Sequence, residues 1–166
     1  MKYQYRIGDL EDVQHLIRVG YHSYGSFKDQ LKKEHWEKMK SFLVNPQRYM
    51  DLLKISRCFV CEKEGKIVGM AFLVRNGNPT DIFRADCCYL RMVGVLPDES
   101  GKGIGRRLTQ MCLNYAKETE EKVVALHTSE IMESAIYLYE SMGFNKVKEL
   151  PMSLGIRYWL YEKKID

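Results

Sequence analysis

The sequence predicts an α/β (α+β) fold, a mixed sheet of about seven strands with helices on both faces. Three observations predict it. Short apolar runs with strand character are interleaved with longer stretches whose apolar residues recur every three or four positions. Glu64-Gly65 joins two β runs within RCFVCEKEGKIVGMAFLVRN, a two-residue hairpin signal. The apolar run CCYLRMVGV passes through SGKGIGRRL, with Gly101, Gly103 and Gly105 at alternate positions, into a helical pattern.

The elements follow in order. Tyr3 to Ile7 is a short strand. Asp9 is a plausible N-cap for a helix through Val19, with Val13, Leu16 and Ile17 inward. YHSYGSF, Tyr21 to Phe27, interrupts the pattern with Gly and Ser and is rich in aromatics. A second helix is expected from Lys28 to Leu43, ended by Pro46, and a short helical turn from Tyr49 to Leu53. The hairpin comes next, then the loop GNPTDIF, the strand CCYLRMVGV, the glycine loop and a helix from Gly103 to Glu118. KVVALHT is a buried strand, and Ile131 to Met142 a helix closed by Gly143 as its C′ residue. FNKVKEL and RYWLYEKK are the last two strands, separated by PMSLG. There is no repeat, low-complexity tract or linker, and residues 1–166 are expected to form one domain.

Composition narrows the classes of function. Hydrophobic content of 45% and charged content of 29% fit a globular chain. No apolar run is long enough to span a bilayer, and MKYQYRIGDLEDV lacks the apolar core of a secretory signal. The expected location is cytoplasmic, away from membranes. The net charge of +4 is dispersed among acids, as in KKEHWEKMK, so nucleic acid is not an expected partner. The five cysteines lie in apolar surroundings. Cys58 and Cys61 form a C-x-x-C, but on a strand positions i and i+3 point to opposite faces. Reduced, buried thiols are expected there and no metal site.

The glycine loop carries the first functional signal. Glycines expose backbone N–H groups without a Cβ in the way and tolerate positive φ. The helix that follows adds unpaired N–H groups and the positive end of its dipole. Together these suit a phosphate, with Lys102, Arg106 and Arg107 alongside. Two common nucleotide motifs fail on spacing. Lys102 is followed by Gly103 and not by Ser or Thr, and G-x-G-x-G is not G-x-G-x-x-G after a first strand.

Ser100 to Leu108 resembles the pyrophosphate loop of the GCN5-related N-acetyltransferases, [QR]-x-x-G-x-[GA], with Gly103 and Gly105 in register and Ser100 in the Gln/Arg place. Ala135 to Phe144, AIYLYESMGF, resembles the family's N-x-x-A-x-x-L-Y-x-x-x-G-F, with Met132 where Asn is usual. The N-terminal YRIGDLEDV and the element order also match. The resemblance implies a mostly antiparallel sheet and direct transfer of an acetyl group from acetyl-CoA to an amine, with no metal. It implies that Val93, Gly94 and Val95 lie along the pantetheine arm. It further implies that Ser100, Gly101, Lys102, Gly103, Ile104, Gly105 and Arg106 cradle the pyrophosphate, with Met132 and Tyr139 also at the ligand. Tyr139 takes the family's proton-donor position.

The base is open. Many relatives use a Glu on the fourth strand, and this strand has none. Asp86 and His127 are the candidates, and a water chain to backbone carbonyls is the alternative. Glu130 and Glu133 either meet a cationic substrate or favour a helix start. The resemblance places acceptor choice in YHSYGSF and PMSLGIRYW, and the acceptor is an amine on a small molecule or peptide. A monomer or homodimer is expected. A non-catalytic acyl-CoA sensor on the same fold and a nucleotide-binding module are the competing readings.

Overall fold

The computed structural model describes residues 2–166. One sheet of seven strands runs through it: β1 (Tyr3–Ile7), β2 (Ser56–Lys63), β3 (Lys66–Val74), β4 (Cys88–Val95), β5 (Val123–Ser129), β6 (Asn145–Ser153) and β7 (Ile156–Lys164). The spatial order is β1-β2-β3-β4-β5-β7-β6. Every neighbouring pair is antiparallel except β4 and β5. The five helices are α1 (Val13–Gly25), α2 (Lys33–Leu43), α3 (Pro46–Ile55), α4 (Ile104–Glu118) and α5 (Glu133–Ser141).

Strand alternation divides the core between two faces. Cys58, Val60, Met70 and Phe72 pack with Val13, Leu16 and Val19 of α1 and Tyr49 of α3. Phe59, Cys61, Ala71 and Leu73 face the other way, toward Leu108, Cys112 and Ala116 of α4 and Tyr139 of α5. Each fully buried Leu or Phe of these layers stabilises the fold by about 1.5–3 kcal/mol. Cys58 and Cys61 thus lie on opposite faces, as strand geometry requires, and all five cysteines are free and buried.

Local chemistry sets the boundaries. The Asp9 carboxylate accepts from Glu11 N at 2.9 Å. Asp12, which accepts from Asp9 N at 2.9 Å, completes a capping box and pairs with Arg6 through both carboxylate oxygens. Glu64 and Gly65 both have positive φ, the backbone of a tight two-residue hairpin.

The structure corrects five boundaries. Helix α1 does not stop at Val19 but continues through the aromatic stretch to Gly25. The hydroxyl of Tyr49, which donates to Leu43 O at 2.8 Å, sits where a side chain at Gly20 would be, so the glycine is a close-packing point inside the helix. The expected helix over 28–43 is divided into a 3-10 turn, Lys28–Gln30, and α2, with Leu31 and the Lys32 cap extended between them. Apolar spacing is the same on both sides of such a break. The short turn near Tyr49 is a full helix, because Pro46 begins α3 as well as ending what precedes it and Asn45 caps it by accepting from Gln47 N. Helix α5 starts two residues later than expected, at Glu133. Strand β6 runs on through Pro151 and Met152, which its place at the sheet edge permits, and the turn is Leu154-Gly155.

Candidate active site

Strands β4 and β5 are paired at only two positions, Cys88↔Val124 and Tyr89↔Ala125. Beyond Tyr89 the strands part, and the β4 edge toward β5 has no strand partner. The other edge is irregular as well. Pairing with β3 shifts register between Met70 and Phe72, and opposite that point Met92 has φ of +52°. A bulge at Met92 therefore re-aims the backbone where the strands separate. Tyr24 of α1 reaches it, donating its hydroxyl to Val93 O at 3.2 Å. Gly94 is a close-packing point, since a Cβ there would come within 2.6 Å of Ser23 Oγ.

The loop after β4 has two layers. Pro97–Glu99 is a 3-10 turn whose buried Glu99 carboxylate accepts from Tyr3 Oη at 2.7 Å, Lys63 Nζ at 2.9 Å and Lys102 Nζ at 3.0 Å. These bonds hold the Glu99 carboxyl down at about 2, and so anchor the loop from beneath. Above it, Gly101 and Gly103 take φ of +76° and +81°, and α4 begins at Ile104 with no side-chain cap. The first helical hydrogen bond is from Arg107 N to Gly103 O. The N–H groups of Gly103, Ile104, Gly105 and Arg106 are therefore free of helix partners, as at any helix start. Gly105 needs its missing side chain for neither reason: its φ is not positive, and a Cβ would meet only Leu138 at 3.7 Å and Val95 at 3.9 Å. The Ser100 hydroxyl is turned inward to Pro97 O at 2.8 Å. Arg106 donates to Ser141 Oγ at 2.8 Å, and Arg107 lies over the Tyr5 ring. A groove of about 800 Å³ starts at Gly103 and Arg106 and follows α4 to Lys117 and Lys163.

Tyr139 and Tyr137 part company on α5. Tyr137 is 74% exposed, Tyr139 only 7%. The Tyr139 ring packs edge-on against Phe144, and its hydroxyl makes no hydrogen bond among the described residues. Burial, reinforced by Tyr24, raises its pKa, so it stays protonated across the working range. Met132 caps α5 by position only, its sulfur 3.7 Å from Thr128 Oγ1.

His127 is on β5, two residues past the last pairing with β4. It stacks on Tyr158 and meets the edge of Phe83, and its Nδ1 is buried without a partner. Burial first, and Arg91 second, pull its pKa down to about 4. Asp86 is elsewhere. It precedes β4, its side chain is 76% exposed, and it is paired with Arg84 at 3.0 Å, which lowers its pKa. Met92 is six positions further along the chain, roughly 20 Å of strand. The structure does not bring it to the cleft. Glu130 is also engaged, accepting from Arg157 N of β7 at 2.6 Å, and Glu133 is the exposed first residue of α5.

A smaller cavity of about 230 Å³ opens on the α1–α3 side, lined in part by Arg48 and Leu52 of α3 and by Tyr89, Arg91 and Met92 of β4. Sequence reasoning gave Arg48 no role and left Arg91 unassigned. The one available signal was a charge inside the apolar run CCYLRMVGV. The Met92 bulge had no signal, because its residue type does not report positive φ.

Splayed parallel strands, a bulge where they part and an uncapped glycine-bearing helix start define the acetyltransferase class of α/β fold. The chain belongs to the Acetyltransferase (GNAT) family, whose model matches residues 22–144. It is 33% identical over 89 residues to the uncharacterized N-acetyltransferase YjgM of Escherichia coli, covering 54% of this chain and 51% of that one. It is 30% identical over 128 residues to N-acetyltransferase family 8 member 3 of Rattus norvegicus, covering 72% and 54%. The chain thus spans about half the length of these curated relatives. Among solved structures it resembles the PaiA N-acetyltransferase of Thermoplasma acidophilum in complex with coenzyme A, with a TM-score of 0.81, 17% identity and 99% of each chain covered. It also resembles YncA of Salmonella typhimurium with acetyl-CoA, with a TM-score of 0.73, 19% identity, and 100% and 95% covered. No helix among the described residues is long and apolar enough to cross a membrane.

Proposed function

We propose that the chain is an acetyl-CoA-dependent N-acetyltransferase acting directly on a primary amine. The observation that carries this reading is the coincidence, on one strand, of an open β4 edge and the free N–H groups at the start of α4. The residues present fit the donor. Main-chain groups of Val93, Gly94 and Val95 offer strand-like hydrogen bonds to pantetheine amides. The N–H groups from Gly101 to Arg106 offer donors to the pyrophosphate, and Gly105 leaves room for it. Met132 stands at the start of α5. Two of the matching structures contain CoA or acetyl-CoA, which supports the same ligand here.

Acetyl-CoA, when bound, supplies a thioester carbon open to nucleophilic attack. The bond that forms joins the amine nitrogen to that carbon. The bond that breaks is carbon to sulfur, and its electron pair stays on sulfur. Tyr139 gives its proton to the departing thiolate and regains one from solvent, and the amine nitrogen gives up one proton to solvent. The Met92 bulge, where the backbone leaves its regular pairing with β3, is where a main-chain N–H would be offered to the carbonyl oxygen. His127 at about 4 is a poor acceptor for an ammonium near 10, so we assign no base role to it. The positive charge of Arg91 and Arg48 instead favours the neutral amine in the cleft. The five buried thiols are not nucleophiles, since burial raises them all, Cys88 to about 12.

The test is thiol release from acetyl-CoA on addition of primary amines. Amine-dependent release with one acetylated product per thiol is expected. Binding of CoA without turnover of any amine would favour the sensor reading, and binding of ATP or NAD in its place would favour the nucleotide module.

A further inference from the structure

The cavity beside Met92 has an unbalanced charge. Most arginines of the chain have an internal partner: Arg6 binds Asp12, Arg75 binds Glu121, and Arg157 binds Glu149. Arg57 and Arg107 lie over tyrosine rings. Arg48 and Arg91 are different. Both are half-buried, both line the 230 Å³ cavity, and among the described residues neither makes a hydrogen bond or an ion pair. Arg48 rests on the Phe42 ring at 4.6 Å, which orients it without neutralising it. Arg91 has not even that contact.

The one carboxylate on the wall does not serve them. Asp51 Oδ1 is held by Gln47 Nε2 at 2.8 Å, with Lys54 at 3.9 Å on the solvent side. The other polar groups are also engaged. Tyr89 donates to Asn78 O, and Thr80 Oγ1 accepts from Ile82 N and Phe83 N. Burial and the like charge of Arg91 lower the Arg48 pKa. Two like charges facing one small cavity with no counter-ion cost stability unless a ligand supplies the opposite charge. A guanidinium fork matches a carboxylate or phosphate through paired N–H donors.

We propose that the acceptor amine carries an oxyanion, a carboxylate or a phosphate, which Arg48 and Arg91 bind in the cavity beside Met92. The proposal rests on the acetyl-transfer reading and names the acceptor class for that site. Its position limits the spacing. Arg91 is two residues from Val93, roughly 6–7 Å along the strand, so a few bonds separate the oxyanion from the amine. The cavity volume accommodates an acceptor of amino-acid size. Specificity follows from the same charges: a neutral alkylamine leaves both guanidiniums unpaired, and a polyamine adds a further positive charge.

The test compares matched acceptors by thiol release at saturating acetyl-CoA. Each of a panel of α-amino acids is paired with the amine left by removing its carboxylate, and O-phosphoethanolamine is paired with ethanolamine. The two pairings separate carboxylate from phosphate. The anionic member is expected to have a kcat/KM about tenfold to a hundredfold higher, mostly through KM, for one or both pairings. Arg48→Gln and Arg91→Gln are each expected to remove that preference and keep the thermal stabilisation by acetyl-CoA. Arg91→Lys, which keeps the charge and loses the fork, is expected to restore part of it. Neutral amines preferred, or a preference that survives both Gln variants, would overturn the proposal and leave acetyl transfer intact. If no amine turns over, or acetyl-CoA does not bind, the readout is thermal stabilisation by amino acids and by inorganic phosphate. Equal responses from wild type and the Arg48→Gln/Arg91→Gln double variant then overturn the oxyanion site on its own.

Discussion

Tyr137 and Tyr139 are two positions apart on α5, and two positions turn a helix through roughly 200°. One ring is therefore in water and the other is buried against Phe144, and the proposed mechanism takes the leaving group's proton from the second. Tyr139→Phe keeps the ring against Phe144 and removes the hydroxyl. We expect kcat to fall about a hundredfold or more, with acetyl-CoA binding and melting temperature little changed. Steady-state kinetics beside a thermal melt separates those quantities. His127 makes a different contribution. Its pKa is about 4 folded and 6.5 unfolded, so the unfolded chain binds more protons between those values. Stability is present above 6.5 and is lost as pH falls toward 4. At pH 5 the loss is about 2 kcal/mol relative to pH 7. Urea unfolding at the two pH values measures it, and His127→Asn is expected to flatten the difference.

At the scale of elements, the three alternate glycines do two jobs. Gly101 and Gly103 supply positive φ to the turn, and Gly105 supplies space over the helix start. Substitutions separate them. Gly103→Ala puts a Cβ on a left-handed residue and is expected to cost about 1–2 kcal/mol of stability. Gly105→Glu adds a side chain to a helical residue with room for it, and places an acid at the positive helix end. Its melting temperature is expected to hold or rise. Chemical denaturation of the two variants side by side checks the contrast. Spacing in SGKGIGRRL was enough to locate the loop, because glycine and strand-to-helix order are written locally. The division of labour was not legible, since it depends on φ and on Leu138 and Val95 across the gap. For the same reason α1 is longer than its pattern suggests: Gly20 looks like a break in one dimension, and only the nearby Tyr49 hydroxyl shows it to be a packing point.

Across the whole molecule, the seven strands and their chain order were legible from apolar periodicity and the Glu64-Gly65 hairpin. The family resemblance points to Val93, Gly94 and Val95 of β4 as the strand that meets the donor. The cavity beside Met92 was not legible, because it joins Arg48 of α3 to Arg91 of β4, two residues far apart in sequence with no local pattern in common. Asp86 lies away from the cleft for the complementary reason. Closeness in sequence to β4 is not closeness to the bulge when the chain between is extended.

The most direct test of the account is the melting temperature of the wild type and of Gly105→Glu, each with and without acetyl-CoA. At a hundred times its Kd a ligand stabilises by about 2.7 kcal/mol, roughly 5–10 °C for a chain of this size. The account predicts that shift in the wild type and none in Gly105→Glu, whose own melting temperature is not lowered. No shift in the wild type, or the same shift in both proteins, would contradict the claim that the start of α4 and the open edge of β4 form one acetyl-CoA site.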